Sequence, residues 1–197
     1  TNKYENLRIL AEADTIAFKT KLQGTPYITA KIGEETASRI TVDTGSSGEI
    51  SLGLDRFREL TQQPHIKSYG YLSAGVYGSK IDTAYSLFAD SLQLGDFWLE
   101  KEWIELEDNA SNLIGNIFWE QFLVTINWEA NQILLNRRKE RKVDLLNYGL
   151  SAKFDGNNLF VGVLHEGFDP EKSNLQIGDV VLELNGISVK NLDQEAY

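Results

Sequence analysis

Asp43-Thr44-Gly45 is the stretch of this chain whose residue types and order could do chemistry. It follows an apolar run, Ile40-Thr41-Val42, that alternation marks as the end of a strand. A carboxylate placed there sits on a loop kept rigid by the sheet behind it. Such a group can give and take protons as a general acid or base. Gly45 permits backbone angles that other residues resist, and it lets a second backbone come close. Thr44 and Ser46 can hydrogen-bond locally and hold the loop in shape. The same tripeptide also serves in ordinary turns, so its meaning depends on the elements around it.

Other chemistries fit less well. Gly45-Ser46-Ser47-Gly48 lacks the Gly-x-Ser-x-Gly spacing of a nucleophile elbow. Gly70 and Gly75 have the spacing of a phosphate loop, but Val76 stands where its Lys is needed. His65 and His165 lie far apart without ligand-like neighbours and read as ordinary surface histidines, so no metal site is expected. There is no Cys, which excludes disulfides and thiolate chemistry. Nothing in the pattern calls for a cofactor. The net charge of −10 argues against nucleic acid or an anionic membrane as the main partner. No run approaches the roughly 18 apolar residues of a membrane span.

The elements that must position Asp43 are mostly strands. Alternation marks Thr15–Lys21, Tyr27–Ile32 and Ser38–Val42, then Glu49–Leu52 after the candidate loop. Leu54, Phe57 and Leu60 share one face of a short helix that stops before Pro64. A long hairpin follows, with arms Ile66–Leu72 and Val76–Tyr85 and its tip at Ser73-Ala74-Gly75. Ser86–Leu94 and Phe97–Leu106 pair around Gly95-Asp96, and Asn112-Leu113-Ile114-Gly115 leads into a short helix near Ile117–Phe122. The hairpin Leu123–Trp128 with Gln132–Asn136 closes a mainly β domain. The four Trp residues are expected in a core or at a domain junction. Residues 137–142 carry five basic and one acidic side chain and read as a solvated linker rather than a nucleic-acid patch.

Ile40–Ser47, ITVDTGSS, resembles the active-site loop of aspartic peptidases. Leu113-Ile114-Gly115 is similar to the apolar-apolar-Gly element that packs beside that loop in the same family. Phe122–Trp128 and Ile133–Leu135 look like its closing strands, and the long hairpin with Gly70, Gly75 and Gly78 stands in the order of its flap. The resemblance implies a retropepsin-like lobe: a closed β barrel with short helices. It implies Asp43 as the catalytic carboxylate, Thr44, Gly45 and Ser46 as its loop, and Leu113, Ile114 and Gly115 as loop support. It also implies a flap at Ser73, Ala74 and Gly75, with Tyr71 or Tyr77 offering a wall or a hydroxyl to a polypeptide substrate. Peptide hydrolysis in this family needs two carboxylates facing one water and sharing a proton; one is the base, and the protonated one polarises the scissile carbonyl. This chain has a single Asp-Thr-Gly, and Asp155-Gly156 reads as a hairpin turn. The second Asp is therefore expected from a homodimer partner or from another lobe of the same gene product.

Leu175–Val189, LQIGDVVLELNGISV, is similar to a stretch of PDZ domains, with Tyr148-Gly149-Leu150 near their carboxylate-binding loop. The expected organisation is an N-terminal extension or linker at 1–14, a peptidase-like lobe at 15–136, the basic linker at 137–142, and a partial PDZ-like α+β segment at 143–197. The start at Thr1 and the absence of Met lead to the expectation of a chain processed or excised from something longer. The leading expectation is an aspartic endopeptidase; the other is a non-catalytic peptide-binding or scaffolding protein built from a degenerate lobe and a PDZ module. The resemblance implies an extracytoplasmic or cell-envelope location.

Overall fold

The structure, a computed structural model, describes residues 12–75, 78–108, 110–138, 149–166 and 174–189. The expectations that touch Val76, Tyr77, Tyr148, most of the 1–14 extension and the greater part of the basic linker lie outside these residues. By its internal contacts the chain forms two compact units. One holds residues 12–65 and 87–138; the other holds 66–86 and the tail from 149. The hairpin read from the sequence as part of the lobe thus groups with the tail.

The first unit is a closed barrel. Its strands are β3 (Pro26–Ile32), β4 (Glu35–Val42), β5 (Ile50–Gly53), the C-terminal part of β7 (Gly78–Leu94), β8 (Phe97–Glu107) and the short β9 (Leu113–Ile114). They run in the order β7, β8, β5, β9, β4, β3. The ring closes where β3 meets β7 antiparallel, pairing Ala30 with Leu94 and Ile32 with Leu92. Closure leaves no open sheet edge in the ring. Ile28, Ile32, Ile40, Ile50, Leu92 and Ile104 fill the interior, each at most 2% exposed. Burying side chains of this size stabilises the fold by about 1.5–3 kcal/mol apiece. The mainly β class and the barrel expected from the sequence are what the chain adopts.

Two irregularities set the phase of its strands. In β4 the pairing with β3 shifts register between Ile28 and Ala30, and Arg39 has φ 62°. This bulge inserts one residue, so burial passes from Ala37 to Ile40 and Val42 rather than to Arg39 and Thr41. In β8, Lys101 has φ 56°, and burial resumes at Glu102 and Ile104 after Leu99.

A three-stranded sheet of β1 (Asp14–Ala17), β11 (Gln132–Arg137) and β10 (Phe122–Asn127) completes the unit. The strand expected over Thr15–Lys21 is broken at Phe18, leaving β2 (Lys19–Thr20) to pair with β3. The Phe18 N–H leaves the ladder for the Asn131 carbonyl at 2.9 Å, and the Phe18 ring meets Trp128 edge-on at 5.4 Å. The helix expected from Leu54 to Leu60 is one α turn, α1 (Leu54–Phe57), continued as a 3₁₀ turn at Arg58–Gln62. Its three apolar residues are buried as the spacing predicts. Of the four Trp, only Trp119 is fully buried; Trp98 and Trp128 are each 55% exposed.

The second unit is a sheet of β12 (Leu150–Phe154), β13 (Leu159–His165), β6 (His65–Gly75) and the first part of β7, with a small separate hairpin of β14 (Glu183–Leu184) and β15 (Ile187–Ser188). Ser73-Ala74-Gly75 is the end of strand β6 rather than a turn. Ser86–Leu94 is not a separate strand but the continuation of β7. Asn185 and Gly186 have φ 51° and 80°, the type I′ geometry that joins β14 to β15. Val180 makes only an isolated bridge to Phe160, so the continuous strand expected between Gly178-Asp179 and Asn185-Gly186 is reduced to Glu183–Leu184. Among the described residues no helix is long and apolar enough to cross a membrane.

Candidate active site

Asp43 leaves the end of β4 into an irregular loop that returns as β5. Strand β9, about 70 residues further along, is inserted between the two. It runs parallel to β4, pairing Thr41 with Leu113 and Val42 with Ile114. It runs antiparallel to β5, pairing Ile50 with Ile114 and Ser51 with Leu113. The chain entering the loop and the chain leaving it are thereby locked to the same two residues. The Asp43 N–H donates to the Ile114 carbonyl at 3.0 Å, which also accepts the Trp119 indole N–H at 3.0 Å. Both Ile114 and Trp119 are buried.

The carboxylate is oriented from within the loop. Asp43 Oδ1 accepts the Gly45 N–H at 3.0 Å and the Ser46 N–H at 3.2 Å. Among the described residues no protein group hydrogen-bonds Oδ2. A Cβ on Gly45 would lie 3.3 Å from Oδ1, tight enough to disturb that oxygen. Ser46 Oγ in turn accepts the Gly48 N–H at 3.2 Å. Asp43 is half-buried, while Thr44 and Gly45 are exposed, so the free side of the carboxyl group is reachable from solvent.

Gly115 explains the third position of Leu-Ile-Gly. A Cβ there would overlap the Gly48 carbonyl oxygen and lie 2.8 Å from its carbon. Only glycine lets the two backbones approach this closely. The Gly115 N–H donates to the Glu49 carbonyl at 2.6 Å. Helix α2 (Asn116–Trp119) then begins against the loop, with the Asn116 N–H on the Ser46 carbonyl at 2.8 Å and the Ile117 N–H on the Gly48 carbonyl at 3.2 Å. These are amides that a helix start leaves without intrahelical partners. The loop satisfies them and is held in exchange.

Two further residues belong to this frame and were not singled out from the sequence. Asn112 accepts the Gly53 N–H on Oδ1 at 3.0 Å and the Thr41 N–H on its carbonyl at 2.9 Å, clipping β4 to the end of β5. Trp119 closes the far side of Ile114. A polar residue directly before an apolar-apolar-Gly element was the available signal for Asn112. Beside the loop lies a hollow of about 210 Å³ whose lining includes Val42, Thr44, Trp119, Phe122, Leu123 and Arg138.

The remaining candidates fall elsewhere. Asp155 is the β12–β13 turn carboxylate; its Oδ1 accepts the Asn158 and Asn157 N–H groups, each at 2.8 Å, and these bonds hold its carboxyl below the usual range. Ser73, Ala74 and Gly75 lie in the second unit. His165, expected as a surface residue, is half-buried between two hydroxyls, with Nδ1 2.9 Å from Ser68 Oγ and Nε2 3.0 Å from Ser151 Oγ. Burial pushes its pKa below the ordinary histidine value. Among the described residues no three His, Cys, Asp or Glu side chains gather as metal ligands.

No protein-family model matches the chain, and no curated protein does. Among solved structures, the chain is similar to a retropepsin-like aspartic protease from Rickettsia conorii. The identity is 19% and the TM-score 0.43, over 63% of this chain and 91% of that one.

Proposed function

We propose that this chain supplies one half of an aspartic endopeptidase, with Asp43 as its catalytic carboxylate. The observation that carries the reading is the clamped loop: Asp43 sits between two strands locked to Leu113-Ile114, its Oδ1 fixed by two backbone amides and its other oxygen without a protein hydrogen bond among the described residues. A carboxylate held this way keeps one orientation while its other oxygen addresses a water. Two such groups facing one water would share a proton, and their two titrations would belong to the pair. The second carboxylate comes from another copy of the chain or from a second lobe. The exposed Thr44-Gly45 edge is the side on which that partner approaches. The hairpin of β6 and β7 takes the flap's part in contacting substrate.

Cleavage of a peptide library at acid pH tests this reading. Wild-type chain should cleave, and Asp43→Asn, which keeps an acceptor at Oδ1, should not. Undiminished cleavage by that variant sinks the assignment. Sedimentation of the active species then separates the two sources of the second Asp: activity that tracks a dimer points to a twin.

The presence of a single Asp-Thr-Gly favours a second reading, in which the lobe is a non-catalytic peptide-binding or scaffolding module and the PDZ-like tail recruits partners. A strictly monomeric chain without cleavage activity, in a gene product lacking a second Asp-Thr-Gly, would support it.

A further inference from the structure

Strand β6 is paired with the tail. Its residues run antiparallel to β13, with Gly70 opposite Val163, Tyr69 opposite Leu164 and Ser68 opposite His165. The Glu166 N–H extends the ladder to the Lys67 carbonyl at 2.6 Å. Three features of the hairpin have their physical reason only in this seam. Gly70 has φ +145°, and a Cβ there would overlap the Gly162 carbonyl oxygen and lie 2.8 Å from Val163 Cα. Ser68, a polar residue in a hairpin strand, is only 5% exposed and meets the His165 ring. Tyr71 stacks edge-on against Phe160 at 5.8 Å.

His165 ties three strands together, since Nδ1 meets Ser68 of β6 and Nε2 meets Ser151 of β12. Its neutral tautomer can satisfy both contacts. In either neutral form one ring nitrogen accepts a serine hydroxyl proton while the other donates its N–H. Either arrangement makes the ring a brace between β6 and β12.

We infer that the tail is a positioning element for the hairpin: β13 takes β6 as an added strand, so the β6–β7 hairpin is held by the tail unit and loosens when that seam is broken. Pairing through main-chain bonds is the general way in which a sheet edge captures an extended strand. The consequence for substrate turnover rests on the peptidase reading given above; the mechanical coupling does not. Gly70, Ser68 and His165 are then positioning residues, not catalytic ones.

The test is hydrogen exchange on the full chain, read by mass spectrometry for residues 66–86 and, as a control in the barrel unit, for residues 122–137. Gly70→Val should speed exchange in the hairpin by about tenfold or more, as expected when several main-chain bonds open, with the control unchanged. His165→Ala, which adds no bulk, should act in the same direction and more weakly. If Gly70→Val also disturbs the control, the His165→Ala result decides. Hairpin exchange unchanged in His165→Ala, with Gly70→Val either unchanged or perturbed throughout, overturns the coupling. Faster hairpin exchange with a quiet barrel upholds it, even in a chain that cleaves no peptide, so failure of the peptidase reading is seen separately. In a chain that does cleave, Gly70→Val should raise KM more than it lowers kcat.

Discussion

In the barrel unit, Asp43 Oδ1 accepts the N–H groups two and three residues further on; in the tail unit, Asp155 Oδ1 does the same. At the level of hydrogen bonds the two loops are alike. Their surroundings differ. The Asp43 loop is gripped by β9 and α2, and it contacts Gly115 so closely that no side chain fits there. The Asp155 turn joins adjacent strands, and a Cβ on Gly156 would meet nothing within 4 Å. The apolar residues divide in the same way. Ile40, Ile50 and Ile114 are completely buried, whereas Leu182, Leu184 and Ile187 in the tail are 63%, 52% and 70% exposed. A local turn is enough to shape a carboxylate loop, but a distant strand must lock it before it can be a rigid site.

Exchanging one carboxylate in each loop should break the likeness most sharply. Asp43→Asn is expected to lower peptide hydrolysis by about 10²–10⁴-fold, the usual contribution of a general acid or base. Asp155→Asn should leave kcat/KM where it was.

Packing is the next difference to test. Ile114→Ala removes a wholly buried side chain and should cost about 2–5 kcal/mol. All four Trp lie in the barrel unit, so urea unfolding followed by Trp fluorescence reads that unit directly. Leu182→Ala, at an exposed position, should stay within about 0.5 kcal/mol by thermal unfolding. Equal losses at the two sites would show that the tail is packed in solution as tightly as the barrel.

Gly115→Ala asks whether the loop contact is as rigid as its geometry. Forcing Gly48 away should cost about 1–3 kcal/mol in the same urea experiment. Asn112→Ala, which leaves the Gly53 N–H without its acceptor, should cost about 1 kcal/mol.

The smallest effect is a pH dependence confined to the tail unit. The folded pKa of His165 is lowered by burial, so above the ordinary histidine value of about 6.5 the ring is neutral in both folded and unfolded chains and has no influence on stability. As pH falls from 6.5 through the lower folded value, the unfolded chain binds the proton more readily and the tail loses stability. Amide exchange of residues 149–166 should therefore quicken between neutral and mildly acid pH. His165→Gln should remove that dependence, and the barrel control should not share it.

Much of this was legible in the amino-acid order. Alternation located most of the strands, and Leu54, Phe57 and Leu60 marked a buried helical face. The Asp43 loop and Leu113-Ile114-Gly115 were both visible because each has local requirements: a turn-forming carboxylate in one, two apolar residues and a glycine in the other. Less could be read about Asn112 and His165, since their roles are bonds to residues such as Gly53 and Ser68, remote in the chain. The exposure of Trp98 and Trp128 was missed for a related reason. A large ring is attracted to any apolar surface, and nothing local tells which ring obtains one.

Neighbouring residues set what each short segment can do. Asn185-Gly186 turns because both residues tolerate positive φ, Gly95-Asp96 does so through its glycine, and alternating runs extend because one face is apolar. These are properties of neighbouring residues. Long-range packing is what brings β9 between β4 and β5, turns Ile40 and Val42 inward at the β4 bulge, and joins β6 to β13 of the tail. Such pairings depend on closing long stretches of chain against competing partners, and their outcome rests on which backbones can approach. The glycines at 115 and 70 record that outcome: each has a close-contact reason that appears only when a distant strand arrives.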